Sequence, residues 1–408
     1  MKHVILLGDG MADWPIPALR GKTPLQAAHT PNMDRMASEG TLGLVDTIPA
    51  GFTPGSDVAN LCVLGYDPTV YHTGRGPLEA ASMGVELAPD EVAFRCNLVT
   101  LGGPHESIME DFTADHISSE EAQLIVKDLK AGLSSPDIRF YPGVGYRHLM
   151  VYKGGPSSLT ATPPHDITGQ PIDAYMPKGE GSDEIRWLME RSRDILRDHV
   201  INRERLTQGK KAATSIWLWG EGKAPAMKPL TERYGVRGGI ISAVDLLKGI
   251  GVYAGLDVLP VDGATGYTDT NYRGKAEKAL AFLEDGDFVF LHVEAPDEMG
   301  HEGNVEGKIK AIEDFDREIV GRVLTGIASL GDFRVMVLSD HPTPIELKTH
   351  SSDPSPFAVL ASVDEENVRG GRAYGEALAR DAGLMVSPGH LLMDHFMRDW
   401  GGFVEKQR

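Results

Sequence analysis

The stretch "HVILLGD", residues 3–9, is an apolar run without helical period that stops at Gly-Asp-Gly, so it reads as a buried strand with a carboxylate at its end. Two later stretches repeat the pattern. "DFVFLHVEAPD" (287–297) ends on Asp297, and "FRVMVLSDH" (333–341) carries Asp340 at its end. Between them lies a long amphipathic helical pattern, "VEGKIKAIEDFDREIVGRVLTGI" (305–327), and a further strand follows, "PFAVLAS" (356–362). Strands alternating with helices predict an α/β fold with a mostly parallel central sheet flanked by helices. Ligands of such sheets bind outside the carboxyl ends of the strands, so Asp9, Asp297 and Asp340 would arrive at one place. A single Asp after a strand is equally well explained as a helix cap or turn former. Three together point elsewhere, because clustered carboxylates repel unless cations neutralise them.

Histidines complete the pattern. His301 lies four residues after Asp297, one helical turn away, His341 directly follows Asp340, and His350 comes in the next loop. Carboxylates combined with imidazoles suit Mn²⁺, Zn²⁺, Co²⁺ or Fe²⁺ better than Ca²⁺, which prefers oxygen alone. With 14 histidines in the chain, the Asp297–His301 spacing means little by itself; beside "SDH" at a strand end it favours a metal.

The chain has 408 residues, enough for two or three cores or for one large α/β domain carrying an insertion. Its formal charge of −19 argues against a nucleic-acid partner. The charge is compatible with a small phosphorylated substrate if divalent cations stand between the two. "MKHVILLGDG" has too few apolar residues for a signal peptide and no later run reaches membrane-spanning length, so the expectation is a cytoplasmic protein with no membrane partner. Cys62 and Cys96 are far apart without a CxxC motif and read as buried small hydrophobes.

Near the start, "HTPNMDRMASEG" (29–40) is a helix with Thr30 able to cap, Pro31 at its first position and Gly40 to stop it. The middle of the chain is looser. A charged helix over 183–205 permits a buried stripe of Ile185, Trp187, Leu188, Ile195 and Leu196; "KAATSIWLWGEG" (211–222) reads as a strand and "SAVDLLKGIGVYAGL" (242–256) as a helix. The expected organisation is therefore a discontinuous core of residues 1–76 and 258–408, interrupted by an inserted α+β unit over 77–257.

"GFTPGSDVANLCVLGYDP" (51–68) places Ser56 after a Pro-Gly pair and before an apolar run, Val58 to Leu64. Two readings of Ser56 stand side by side here: it caps the helix that follows, or it acts as a nucleophile.

"LLGDGMAD" (6–13), "HTPNMDRMASEG" (29–40), "PGSDVANLCVLGYDP" (54–68), "GRGPLEAASMGVEL" (74–87), "DEMGHEG" (297–303) and "LSDHPTP" (338–344) resemble the archaeal-type cofactor-independent phosphoglycerate mutases of the alkaline phosphatase superfamily. The resemblance runs the length of the chain and is thinnest between about residues 100 and 260. It implies an alkaline-phosphatase-like core with an inserted substrate-capping domain, and two divalent metal ions, Mn²⁺ foremost with Zn²⁺, Co²⁺ or Mg²⁺ as alternatives. One ion would sit on Asp297, His301 and His350, the other on Asp9, Ser56, Asp340 and His341. It further implies an isomerase of glycolysis and gluconeogenesis that interconverts 3-phosphoglycerate and 2-phosphoglycerate through a phosphoserine at Ser56, with no 2,3-bisphosphoglycerate required. Such a cap must bind the substrate carboxylate and hydroxyls, for which Arg95, Arg147, His165 and Asp166 are the candidates; Arg75 could face phosphate or pin the hinge. The alternative is a metal-dependent phosphatase or phosphotransferase on another small phosphorylated metabolite, homoserine kinase-like for example. The chain has no P-loop for a nucleotide donor.

Overall fold

The computed structural model describes residues 1–363, 367–368, 370 and 372–406. The strands β1 (Lys2–Gly8) and β2 (Thr41–Val45) come first. An inserted segment carries β3 (Glu91–Gly102), β4 (Ile108–Asp111), β5 (Ile138–Tyr141), β6 (Arg147–Lys153) and β7 (Ser215–Gly222). Then follow β8 (Gly238–Ile241), β9 (Asp257–Val258), β10 (Phe288–Val293), β11 (Phe333–Leu338), β12 (Ser355–Ala361) and β13 (Met385–Val386). The chain divides into two units, Met1–His72 with Met227–Arg408, and Thr73–Ala226.

The first unit is built on an eight-stranded sheet in the order β13-β2-β12-β11-β1-β10-β8-β9. β1 runs parallel to β10 and β11, and β8 runs parallel to β10 and β9; β12 is antiparallel to both of its neighbours. The mostly parallel sheet explains why β1 and β10 are near-continuous apolar runs: both faces are covered. Met33 and Met36 of the helix Pro31–Glu39, Ala276 and Leu283 of Tyr272–Leu283, and Ile312 and Phe315 of Val305–Phe315 pack into that core. Register pairs Leu7 with Leu338 and Gly8 with Val293, so β1, β10 and β11 end level and their following residues leave the sheet at one edge.

The second unit is an antiparallel sheet centred on β3, which pairs with β4, β6 and β7, while β5 pairs with β6. Helices Ser119–Leu133 and Ser182–Arg197 bury Ile125, Leu129, Ile185, Leu188 and Leu196 in its core. This is the expected α+β insertion, but its bounds are 73–226 and not 77–257. The difference has a topological cause. β8 extends the central sheet beside β10, and the helix Asp245–Tyr253 after it packs on the helix Ser56–Val63, so both belong to the first unit.

Three local expectations are corrected. The helix expected over 183–205 is two helices, Ser182–Arg197 and Val200–Thr207, with the His199 side chain accepting from the Ile201 N–H at the break. Trp187 lies outside the buried stripe, which follows 185, 188, 189, 192 and 196 at helical spacing, and its surface is 55% exposed. Thr30 occupies the cap position without a side-chain cap bond; Asp316 accepts instead from the N–H groups of Asn32 (3.2 Å) and Met33 (2.7 Å). Among the described residues no helix is long and apolar enough to cross a membrane.

The loops after β1 and β11 are tied together by a buried ion pair. Lys308 Nζ, wholly buried, donates to Asp13 Oδ2 at 2.8 Å and to the carbonyls of Thr343 (2.7 Å) and Ala12 (3.3 Å), while Asp13 accepts from the N–H groups of Trp14 and Ile345. Removing one partner leaves an uncompensated buried charge, so Lys308→Ala is expected to lower unfolding free energy by about 3–5 kcal/mol in urea titration. A loss under about 1 kcal/mol would show the pair to be structurally idle.

Candidate active site

Asp9 follows β1, Asp340 follows β11 after Ser339, and Asp297 sits in the first turn of the helix Ala295–Glu302 after β10. All three carboxylates are buried. The four-residue spacing of Asp297 and His301 does bring them onto one helical turn, with His301 Nε2 3.1 Å from Asp297 Oδ2. His350 Nε2 lies 3.5 Å from Asp297 Oδ1 and 3.0 Å from His301 Nε2. The outer nitrogens of both rings are spoken for: His301 Nδ1 donates to the Lys348 carbonyl at 3.0 Å and His350 Nδ1 to the Pro54 carbonyl at 3.2 Å. Two Nε2 atoms and a carboxylate therefore converge, with the tautomers set from behind, as in imidazoles that bind metal.

A second group, Asp9, Asp340 and His341, is wholly buried. His341 Nε2 lies 3.5 Å from Asp9 Oδ1 and 3.5 Å from Asp340 Oδ2. Asp340 is oriented by the N–H groups of Gly10 (3.2 Å) and His341 (2.9 Å) and by Asn60 Nδ2 (2.9 Å). Among the described residues Asp9 Oδ1 has no hydrogen-bond donor, although it is buried. An orphaned carboxylate oxygen beside an imidazole nitrogen is what a cation would satisfy.

Ser56 is the first residue of the helix Ser56–Val63, so the cap position belongs to Gly55 and not to the serine. Oγ lies instead 3.2 Å from His341 Nε2. One turn on, the buried Asn60 Nδ2 donates both to the Ser56 carbonyl (2.9 Å) and to Asp340, clamping the start of the helix to the carboxylate. Of the two readings of Ser56, the local geometry removes the cap.

Burial and the charges of Asp340, Asp297 and Glu294 push the Asp9 carboxyl well above the usual range. Burial would do the same to Asp297, but hydrogen bonds from His301 and His350 outweigh it and hold that carboxyl well below. The bond to Asp297 raises His301 to about 9. Burial keeps the His341 ring low, hence neutral and able to bind through a nitrogen lone pair.

Sequence reasoning missed His292 and Glu294. His292 Nε2 lies 2.8 Å from Asp9 Oδ2, its Nδ1 is 3.1 Å from Ser242 Oγ, and with Glu294 and Asp9 it forms a third group of potential ligands. The available signal was a histidine in the middle of an otherwise apolar buried strand. Asn60 and Thr343 carried less signal still, reading as an ordinary helix residue and a turn residue.

In the second unit, Arg95 and Arg75 place their guanidinium carbons 4.2 and 5.9 Å from the ring centre of Trp219, and His165 meets the same ring edge-on at 5.5 Å. Arg95 is buried and paired with Glu79 at 2.8 Å; burial brings its guanidinium down to about 10. Asp166 lies 3.6 Å from His165, and Arg147 is exposed over Tyr146. Arg95, Arg75 and His165 are thus gathered on one indole that sequence reasoning did not single out.

The family described as 2,3-bisphosphoglycerate-independent phosphoglycerate mutase matches residues 37–202. A probable 2,3-bisphosphoglycerate-independent phosphoglycerate mutase of Geobacter sulfurreducens is 53% identical over 97% of this chain and 99% of its own length. The 2,3-bisphosphoglycerate-independent phosphoglycerate mutase of Methanosarcina barkeri is 52% identical over 94% of this chain and 96% of its own. Among solved structures, a protein from Pyrococcus horikoshii superposes with a TM-score of 0.81 at 31% identity, covering 98% of this chain and 97% of that one. A cofactor-independent phosphoglycerate mutase from Thermoplasma acidophilum gives a TM-score of 0.65 at 27% identity, covering 98% and 99%.

A divalent ion at Asp297, His301 and His350 must expel the His301 proton, which the folded protein holds up to about 9 against an ordinary 6.5. Ion affinity is therefore expected to rise with pH between 6.5 and about 9 and to level off above, with proton release at pH 8 seen calorimetrically in buffers of different ionisation enthalpy. The sign is opposite for the ion-free fold: the raised pKa contributes stability that is complete below 6.5 and lost as pH climbs through about 9. Ion binding without proton release at pH 8 would contradict the assignment.

Proposed function

The chain belongs to the 2,3-bisphosphoglycerate-independent phosphoglycerate mutase family, and we propose that it interconverts 3-phosphoglycerate and 2-phosphoglycerate through a phosphoserine at Ser56. The observation that carries the proposal is the Ser56 hydroxyl, released from capping and aimed 3.2 Å from His341 Nε2 in the group shared with Asp9 and Asp340. Asp297, His301 and His350 would hold one divalent ion and Asp9, Ser56, Asp340 and His341 the other. When bound, the ions would lower the pKa of the serine hydroxyl and neutralise phosphate oxygens. The mixed oxygen and nitrogen donors suit Mn²⁺, Zn²⁺ or Co²⁺; the family resemblance puts Mn²⁺ foremost and adds Mg²⁺ as an alternative.

In the forward direction Ser56 Oγ gives up its proton and attacks phosphorus, the bond from phosphorus to the substrate's 3-oxygen breaks, and glycerate leaves with that oxygen protonated. The 2-hydroxyl of the retained glycerate then loses its proton and attacks the phosphoserine, and Ser56 regains a proton. Because Ser56 carries the phosphoryl group between the two oxygens, no 2,3-bisphosphoglycerate is needed. The start of a helix supports such a carrier, since free N–H groups and the positive end of the dipole favour phosphate there. In the inserted unit, Arg95 and Arg147, with His165 and Asp166, would bind the carboxylate and hydroxyls of the substrate; guanidinium forks match carboxylate geometry.

With Mn²⁺ and no added 2,3-bisphosphoglycerate, the protein is expected to convert 3-phosphoglycerate to 2-phosphoglycerate, followed by ³¹P NMR. Free phosphate as the main product, or homoserine phosphate formed from ATP without mutase turnover, would overturn the proposal. Ser56→Ala should lower kcat by at least about 10³-fold while still binding metal. The acid-quenched wild type should carry a phosphate on Ser56 by mass spectrometry.

A further inference from the structure

We propose that Thr343 is a positioning residue that fixes the ring tautomer of His341 and links the two ligand groups through one hydroxyl. The proposal rests on the two-ion reading above. Thr343 is wholly buried, and its backbone is held on both sides: its N–H donates to the Ala12 carbonyl at 3.1 Å, and its carbonyl accepts from Lys308 Nζ at 2.7 Å. So anchored, Oγ1 lies between the groups, donating to Asp297 Oδ1 at 2.5 Å and standing 3.3 Å from His341 Nδ1. A hydroxyl has one hydrogen, and an ionised carboxylate can only accept it. Thr343 Oγ1 must therefore accept from the ring, which places the His341 proton on Nδ1.

The consequence falls at the far side of the ring. Nε2 keeps its lone pair, and it is Nε2 that faces Ser56 Oγ (3.2 Å), Asp9 Oδ1 (3.5 Å) and Asp340 Oδ2 (3.5 Å). An imidazole binds an ion through its unprotonated nitrogen, so the hydroxyl selects the tautomer that the second group requires. The same hydroxyl orients Asp297 in the first group. Space around it is tight: Gly10 has φ +59, and a Cβ there would stand 2.5 Å from both Asp297 Oδ1 and Thr343 Oγ1. Loss of the hydroxyl should thus weaken both ions together, whereas a residue serving only one group would weaken one.

The test is calorimetric titration of the chelator-stripped full chain with Mn²⁺, for wild type, Thr343→Val and Thr343→Ser, with folding checked by circular dichroism. Wild type should bind two ions. Thr343→Val, similar in shape but without the hydroxyl, should bind both about 10–100-fold more weakly, and Thr343→Ser should stay close to wild type. Unchanged affinity in Thr343→Val, loss at one ion alone, or a failure of serine to rescue would overturn the proposal. A wild type that binds no ion would overturn instead the two-ion reading beneath it. A second measurement needs no Thr343 variant: long-range ¹⁵N NMR of the ion-free wild type, with the His341 ring assigned by its loss in His341→Gln. A proton on Nδ1 is expected, and a proton on Nε2 would contradict the proposal.

Discussion

Repulsion among buried carboxylates is the constraint on which the rest of the first unit depends. Three parallel strands end level and deliver Asp9, Asp297 and Asp340 into a buried region, with the half-buried Glu294 close by. Left alone, such a cluster must take up protons, and Asp9 is indeed driven well above the normal carboxylate range. Asp297 escapes that outcome because His301 and His350 converge on it. The cluster is thus divided into a part held ionised by the imidazoles around Asp297 and a part, at Asp9, where a buried carboxylate oxygen still lacks a partner among the described residues. Two cations, as proposed, would resolve both parts at once, displacing the His301 proton from the first and supplying the missing charge to the second.

The surroundings resist relaxation of this arrangement. Lys308 and Asp13 bind the loops after β1 and β11 from beneath, Asn60 joins the Ser56 turn to Asp340, and the Pro54 carbonyl holds His350. Donors fixed in advance lose little entropy when an ion binds, and a nucleophile fixed in advance needs little reorganisation when it reacts. The inserted unit shows a comparable economy, with Arg75, Arg95 and His165 gathered on Trp219 and Glu79 paired to Arg95.

Much of this was legible in the chain because it depends on period and punctuation. Apolar runs that stop at Asp located the sheet edge, and the helical spacing of Asp297 and His301 placed both on one turn. The boundary near 257 was misread because β8 is only four residues, "GGII", too short to stand out as a strand, and its place beside β10 is fixed by pairing across the sheet. Trp187 was misread because a large apolar side chain says nothing about which face of a helix it occupies. His292, Asn60 and Thr343 were unreadable for another reason: each acts through a partner 46 or more residues away, His292 on Asp9, Asn60 on Asp340 and Thr343 on Asp297, and no local pattern encodes such pairings.

The central claim is that these donors form two cation sites with Ser56 at one of them. Anomalous diffraction from a crystal soaked in Mn²⁺ tests it most directly. Two peaks are predicted, one among Asp297, His301 and His350, the other among Asp9, Asp340 and His341 within reach of Ser56 Oγ. A single peak, no peak, or an ion held only by Asp9, His292 and Glu294 would contradict the account.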